Sequence, residues 1–247
     1  MPLLYRDAAL VVVDKPAGMI VHRGWAQDEV TALSVVRNML GQWVYPVHRL
    51  DRGTSGALIF ALTPEIASTL GQAFMEDRVS KRYLALVRGQ APEQALVDHA
   101  IAKEPGKPKQ PAQTRVARLF SHPLTNELTG ISRNYSWVEA WPLTGRAHQV
   151  RRHLKHLDHP IIGDVRYGKS EHNRLFARRF GLDRLALHAE RISFPHPTSG
   201  SMLQVSAPLP ADLLRVFEQM DLPQGWSSQA PSKSTLTPAD AALQELP

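Results

Sequence analysis

The sequence predicts an α+β fold: one mixed sheet with helices on its flanks. Three observations carry this. Short apolar runs bounded by Gly, Pro and charged residues recur along the chain, as strands do. Stretches with apolar residues three and four apart lie between some of them, as in amphipathic helices. The two kinds of element do not alternate strictly, which argues against a doubly wound parallel sheet.

The elements follow in order. "ALVVVDKPAG" (9–18) reads as a short buried strand ending in a Pro-Ala-Gly turn. A helix is expected from about Glu29 to Leu40, and "ALIFAL" (57–62) is a second strand. The next helix has clear punctuation, with Thr63 as N-cap, Pro64 at its first position and Glu65 beside it. "KRYLALVRG" (81–89) carries apolar residues on both faces, the mark of a central strand, so Tyr83 is expected to be largely buried with a partnered hydroxyl. Residues 103–113, with three prolines, read as a polar loop. Strands are expected at 114–120 and 135–141, a helix from near Arg146, late strands at 184–194 and 202–207, and a final helix at 211–220. Residues 1–221 form the folded unit in this reading. The Ser-, Pro- and Gln-rich remainder, 222–247, is expected to be disordered.

The helix from Arg146 separates two adjacent arginines. Ala147, Val150, Leu154 and Leu157 would form its apolar stripe. At about 100° per residue, Arg151 lies beside that stripe, whereas Gln149, Arg152 and His156 point away from it. Arg151 can therefore reach along the interior edge, and Arg152 is expected to face solvent or phosphate.

Composition narrows the function. The longest apolar runs, such as Ala8–Val13, have six residues, far short of a membrane span, and "MPLLYRDAALVVVDKP" is unlike a secretory leader. Cysteine is absent, which rules out disulfides and Cys-ligated zinc and makes a cytoplasmic location the expectation. The net charge of +6 is concentrated: residues 146–184 hold ten Lys/Arg against four Asp/Glu, an excess of six. Such a surface suits a polyanion, and equally a solvated face.

The candidate catalytic residue is Asp51 in "VHRLDRGTSGALIF" (47–60), flanked by Arg49 and Arg52. In isolation, Asp in a Gly/Thr/Ser-rich loop is commonly an Asx-turn residue. Kinase and aspartic-protease spacings do not fit it. His148, His153, His156 and His159 form a cluster with no zincin spacing. Among so many arginines they read as helix caps or phosphate contacts, and no metal site is expected.

Taken together, six segments resemble one family. "DKPAGMIVH" (14–22), "HRLDRGTSG" (48–56), "KRYLALVRG" (81–89), "TGRAHQVRRHL" (144–154), "HPIIGDVRYG" (159–168) and "LHAERISFPHP" (187–197) occur in the order and approximate spacing of the RluA-type pseudouridine synthases. The resemblance runs from about Leu4 to Pro208. It implies the pseudouridine-synthase fold, a mixed and mostly antiparallel central sheet flanked by helices and loops. It casts Asp51 as the catalytic carboxylate, Arg151 as its cation, and Tyr83 as the ring that stacks on uracil and whose hydroxyl helps remove the C5 proton. A flipped-out uridine is the implied substrate, with Arg49 filling the vacated stack. Arg52, Arg146, His148, Arg152 and Lys155 become RNA contacts, and no metal or organic cofactor is implied. "VHRGW" (21–25) and "NRLFARRFGLDRLALHA" (173–189) resemble most the branch acting on uridine 65 in the acceptor-stem region of tRNA. Ribosomal RNA is the alternative substrate, and an RNA-binding or RNA-folding factor without catalysis is the competing class. A monomer is the default expectation.

Overall fold

The computed structural model describes residues 1–23, 28–104 and 106–220. The tail expected at 222–247 lies outside them, as do the last two residues of Val21–Trp25.

The chain begins with β1 (Leu3–Arg6), which pairs antiparallel with β2 (Leu10–Lys15). Helix α1 (Ala32–Leu40) starts three residues later than its apolar pattern suggests. The reason is a reciprocal cap: the Thr31 side chain accepts from the Ser34 N–H, and Ser34 Oγ accepts from the Thr31 N–H. The two-residue β3 (Tyr45–Pro46) leads to β4 (Ser55–Ala61), then to α2 (Pro64–Met75) with Thr63 as its N-cap, as expected.

Strands β2 and β4 are apolar on both faces because helices cover both. Leu10, Val12, Ala57 and Ile59 pack with Leu70 and Ala73 of α2. Val11, Val13, Leu58 and Phe60 pack with Ala32 and Val36 of α1. A strand buried on two sides loses the polar alternation of a half-exposed one, which explains the unbroken runs "LVVV" and "ALIFA".

β5 (Ser80–Arg88) is central, as its two apolar faces predict, and β6 (Gln94–Asp98) lies at the far edge of the sheet. The polar segment 103–113 is not simply a loop. β7 (Ile101–Ala102), just before it, pairs antiparallel with β8 (Lys109–Gln110) within it as a small separate hairpin. β9 (Gln113–Thr125) and β10 (Ser132–Pro142) form a long hairpin reaching beyond the predicted ends, because alternate residues pair across it as far as Thr125 and Ser132. After α3 (Gln149–His156) comes α4 (Ser170–Phe180), which the sequence reading leaves out. Its high charge masks a narrow stripe of Leu175, Phe176 and Phe180, all buried. β11 (Leu187–Pro195), β12 (Met202–Ser206) and α5 (Ala211–Gln219) complete the chain.

The main sheet runs β1-β2-β4-β11-β5-β10-β9-β6, with β12 on β11 and β3 on β4. Every pairing is antiparallel except β4 with β11. The sheet is therefore mixed and mostly antiparallel, and the α+β expectation holds.

The parallel pair fixes where the Asp51 loop emerges. Its register sets His188 against Ser55 and Ala189 against Gly56. Gly56 has φ +117°, and a Cβ there would lie 2.2 Å from the Ala189 carbonyl oxygen. Gly18 also has positive φ (+84°), but a Cβ there would meet open space. Gly56→Ala is expected to cost at least ~3 kcal/mol in urea unfolding, through clash added to strain. Gly18→Ala should cost only ~1–2 kcal/mol. Equal losses would remove the close-approach argument.

Candidate active site

Asp51 sits in the loop entering β4, where its carbonyl accepts from the Thr54 N–H at 3.0 Å. The backbone thus makes the turn that the loop composition suggests. The carboxylate does not take part: among the described residues it accepts no backbone N–H. Instead Oδ2 takes Arg151 Nη1 at 2.8 Å.

The loop is held from below. Lys15 at the end of β2 is fully buried, and its Nζ donates to the carbonyls of Pro16 (2.8 Å), Met19 (2.7 Å) and Arg52 (3.4 Å). The Gly18 N–H meets the same Arg52 carbonyl at 2.8 Å. Burial pulls the Lys15 ammonium down to about 8, against the opposing pull of Asp51. His48 supports the other side: Nε2 accepts from the Ile59 N–H at 3.0 Å and the ring stacks on Phe74. Burial lowers it to about 3, which keeps the imidazole neutral and able to accept.

Arg151 arrives from α3, whose start is displaced to Gln149. The expectation that Gln149 points away from the core is corrected. It is buried, and its Oε1 accepts from Thr144 Oγ1 (2.7 Å) and the Arg146 N–H (2.9 Å). Its Nε2 donates to the Gln113 carbonyl (2.8 Å) and Thr114 Oγ1 (3.0 Å). At the first turn its amide satisfies the backbone of the entering loop, a need that a helical wheel does not express. Ala147, assigned to the apolar stripe, precedes the helix and is exposed.

Arg151 lies at the interior edge as its position predicts. Nε and Nη2 form a fork onto Asp164 at 2.8 and 2.9 Å, leaving Nη1 for Asp51. Asp164 is the element that sequence reasoning missed. Its side chain is 1% exposed, against 22% for Asp51. Its Oδ1 also accepts the N–H groups of Arg166 (2.9 Å) and Tyr167 (3.0 Å). Burial alone would make the carboxyl harder to ionise, but the guanidinium and these N–H groups outweigh burial and hold it below its ordinary range. The guanidinium is correspondingly raised by its two carboxylates, against the burial that opposes them. The "GDVRYG" segment carried a signal: an Asp two and three residues ahead of free N–H groups is an Asx-turn pattern.

Tyr83 projects from β5 into the same cavity, of about 750 Å³, lined also by Arg49, Lys81, Arg146, His148 and Arg151. It is largely buried, as expected, but its hydroxyl has no partner among the described residues. Burial, reinforced by the charge of Asp51, raises the phenol above its ordinary range.

His148 adopts φ +54° at the N-cap of α3 and makes no side-chain capping bond, so the expected capping role does not hold. Its ring faces Asp51, with Nε2 3.8 Å from Oδ1, and Nδ1 lies 3.0 Å from the Tyr167 hydroxyl. The other histidines disperse. His153 is fully buried on Thr114 Oγ1 (2.8 Å) and the His99 carbonyl (2.9 Å), His156 stacks on His99, and His159 bonds the Arg88 carbonyl at 2.8 Å.

The remaining arginines are less uniform than their sequence positions suggest. Arg49 and Arg146 are exposed at the cavity, and Lys155 is exposed on α3. Arg52 is exposed and pairs with Asp28, Nη2 to Oδ2 at 2.7 Å. Arg152 does not point freely to solvent: it is half-buried and donates to the Ala102 carbonyl at 2.8 Å, tying α3 to the small hairpin.

Among the described residues no helix is long and apolar enough to cross a membrane. Residues 9–156 match the family model described as RNA pseudouridylate synthase. A tRNA pseudouridine synthase C of Haemophilus ducreyi is 40% identical over 238 residues, covering 92% of this chain and 96% of that protein. One from Salmonella typhi is 38% identical over 259 residues, covering 99% and 98%. The solved structure of human RNA pseudouridylate synthase domain containing 1 superposes with a TM-score of 0.69 at 27% identity, covering 100% of this chain and 95% of that one. The chain belongs to the RluA-type RNA pseudouridylate synthase family.

Asp164→Ala is expected to destabilise the protein by roughly 3–5 kcal/mol in urea unfolding, because Arg151 loses its fork while remaining buried. The Asp164 carboxyl is lower in the folded than in the unfolded chain. Its contribution is therefore present above the ordinary value near 3.8 and is lost as pH falls through the folded value. The stability gap between wild type and Asp164→Asn should accordingly narrow below about pH 4. A pH-independent gap would count against the ion pair.

Proposed function

We propose that this pseudouridine synthase isomerises a specific uridine of tRNA, uridine 65 in the acceptor-stem region, using Asp51 as its catalytic carboxylate. The observation that carries the catalytic part is the Asp51–Arg151 pair at 2.8 Å in a cavity that also holds Tyr83. The substrate part is supported by relatives named tRNA pseudouridine synthase C that align along nearly the whole chain.

The reaction breaks the N1–C1′ bond, turns the uracil and joins C5 to C1′. C1′ passes through an electron-poor state, and an ionised carboxylate can trap it covalently or act on the ribose as a base in a glycal route. Arg151 holds the carboxylate through a charge-assisted hydrogen bond, and its own fork onto Asp164 fixes where that bond lies. The site must also exclude water, since hydrolysis would release the base. The Tyr83 ring is suited to stack on uracil. Arg49, exposed at the cavity rim, is suited to fill the gap left by the flipped nucleotide.

The RNA backbone would be held by the basic segment 146–184. Arg146, exposed beside the cavity with its Nε on the Pro111 carbonyl at 3.1 Å, and the exposed Lys155 would meet phosphate. Arg52 would have to exchange Asp28 for phosphate, and Arg152 would act through the hairpin it holds.

The test is site-mapped pseudouridine formation on an unmodified tRNA transcript containing U65, without added metal. Wild type should modify position 65 and Asp51→Asn should not. Arg151→Ala is expected to lower turnover ~10²–10³-fold with little change in RNA affinity. Arg146→Ala should weaken binding and reduce the salt slope by about 1, with turnover largely kept. Modification by Asp51→Asn at the wild-type rate would overturn the assignment of the carboxylate.

A further inference from the structure

We propose that the cavity holds a second nucleotide beside the target uridine, at the end formed by α2 and the start of β5. There Lys81 binds the phosphate that joins the two nucleotides, and Asp77 accepts a hydrogen bond from the amino group of the neighbouring base. The proposal rests on the cavity being the site of uridine isomerisation.

The cavity extends past its catalytic groups. Besides Asp51, Tyr83 and Arg151, its walls include Phe74, Met75, Asp77 and Lys81, none of which is bonded to Asp51 or Arg151. Residues two apart on a strand share a face and lie about 7 Å apart along it. Lys81 therefore stands one such step from Tyr83 on the cavity side of β5. With the target uracil at Tyr83, the adjoining backbone of the RNA comes within reach of that ammonium.

Both charged groups at this end are unspent. Lys81 is half-buried, and its Nζ makes no hydrogen bond and no ion pair among the described residues. It sits over the Phe74 ring, 5.9 Å from the centroid. Burial disfavours the ammonium, and the charge of Asp77 offsets this only in part. Such a cation has already lost much of its water, so a phosphate oxygen adds a charge-assisted bond at little further cost. The Asp77 carboxylate likewise accepts no hydrogen bond among the described residues.

The backbone singles out Asp77. It has φ +53° just past α2, where the Arg78 N–H closes the helix end on the Ala73 carbonyl at 2.9 Å. Glycine is the usual residue at such a helix end, because a side chain there costs stability. This chain instead places a carboxylate there, and the carboxylate lines the cavity.

The chemistry selects the base. A carboxylate only accepts hydrogen bonds. Adenine, cytosine and guanine each offer an exocyclic amino group, whereas uracil offers only carbonyls in those places. Met75, in the last turn of α2 and 79% exposed, supplies an adaptable apolar surface for the ring, since Phe74 is already stacked on His48. A base drawn out of its stack is read in this way, by its edge and its face together.

The test uses transcripts of an RNA that wild type modifies, with the base pair on the 5′ or the 3′ side of the target set as A–U or reversed to U–A. Reversal keeps the composition of the stem and exchanges which base lies beside the target. Wild type is expected to favour adenine about 10-fold in kcat/KM on one of the two sides. Asp77→Gly should lose that preference while its Tm stays level or rises, because glycine suits the left-handed position. Asp77→Asn, which can donate to a uracil carbonyl, should move the preference toward uracil. Lys81→Met should weaken binding alike for both pairs and reduce the salt slope by about 1, with the preference kept. A wild type indifferent to reversal on both sides, or a preference that survives Asp77→Gly, would overturn the base contact. An unchanged salt slope in Lys81→Met would overturn the phosphate contact. The two readings fail separately. A wild type inactive on tRNA but active on ribosomal RNA removes the tRNA substrate, and the same reversed pairs set into that RNA still decide Asp77.

Discussion

One guanidinium shared between two carboxylates organises this molecule. Arg151 spends Nε and Nη2 on Asp164 and Nη1 on Asp51, joining α3, the "GDVRYG" loop and the "HRLDRG" loop through a single planar group. The plane matters. A lysine at this position could satisfy charge but could not hold two carboxylates at fixed angles to one another. Because Asp164 also collects two backbone N–H groups, the fork is fastened to main chain at its far end. The direction in which Nη1 points is then set by the fold rather than by side-chain freedom.

That arrangement needs the Asp51 loop to be equally fixed, and the sheet supplies this. The loop runs into β4 beside its parallel neighbour β11, and at Gly56 the two backbones approach too closely for any side chain. Immediately next to it, Ser55 Oγ meets His188 Nδ1 at 2.9 Å and Arg184 Nη1 at 3.1 Å, while Arg184 forks onto Asp212. Burial lowers His188 to about 4, so this polar network stays uncharged at the imidazole and carries its ion pair at the rim. Lys15 closes the loop from the other side through carbonyls. A loop rich in Gly, Thr and Ser would be mobile by composition; here the Asp51 and Arg52 carbonyls and the Thr54 N–H are held.

Much of this was legible in the sequence. Unbroken apolar runs marked the two-sided strands, and the Thr-Pro-Glu start marked α2 because caps act within one turn. The helical position of Arg151 gave its direction for the same reason. What stayed hidden depended on distant partners. Gln149 looked solvent-facing because its satisfied groups belong to residues 113, 114 and 144, and the strands predicted at 114–120 and 135–141 run on to Thr125 and back to Ser132 because those residues pair with each other. Asp164 was within a quoted motif but had no assigned partner. The six family segments located the site; only the three-dimensional contacts distinguish Lys15 and His48, which hold the loop, from His148, which faces it.

The two carboxylates on Arg151 have different tasks because they have different surroundings. Asp164, with 1% exposure and four donors, has its lone pairs committed, so it is chemically inert and serves as an anchor. Asp51, with 22% exposure and one such donor, keeps Oδ1 uncommitted toward the cavity. A nucleophile or base must retain an unspent lone pair, and a positioning group must not. Exchanging the surroundings would therefore exchange the roles, although both residues touch the same cation. The same distinction separates the histidines: His153 is satisfied at both nitrogens by protein, while His148 is bonded at Nδ1 and open at Nε2. Reactivity in this site follows from which atoms the fold leaves unpaired beside a fixed charge.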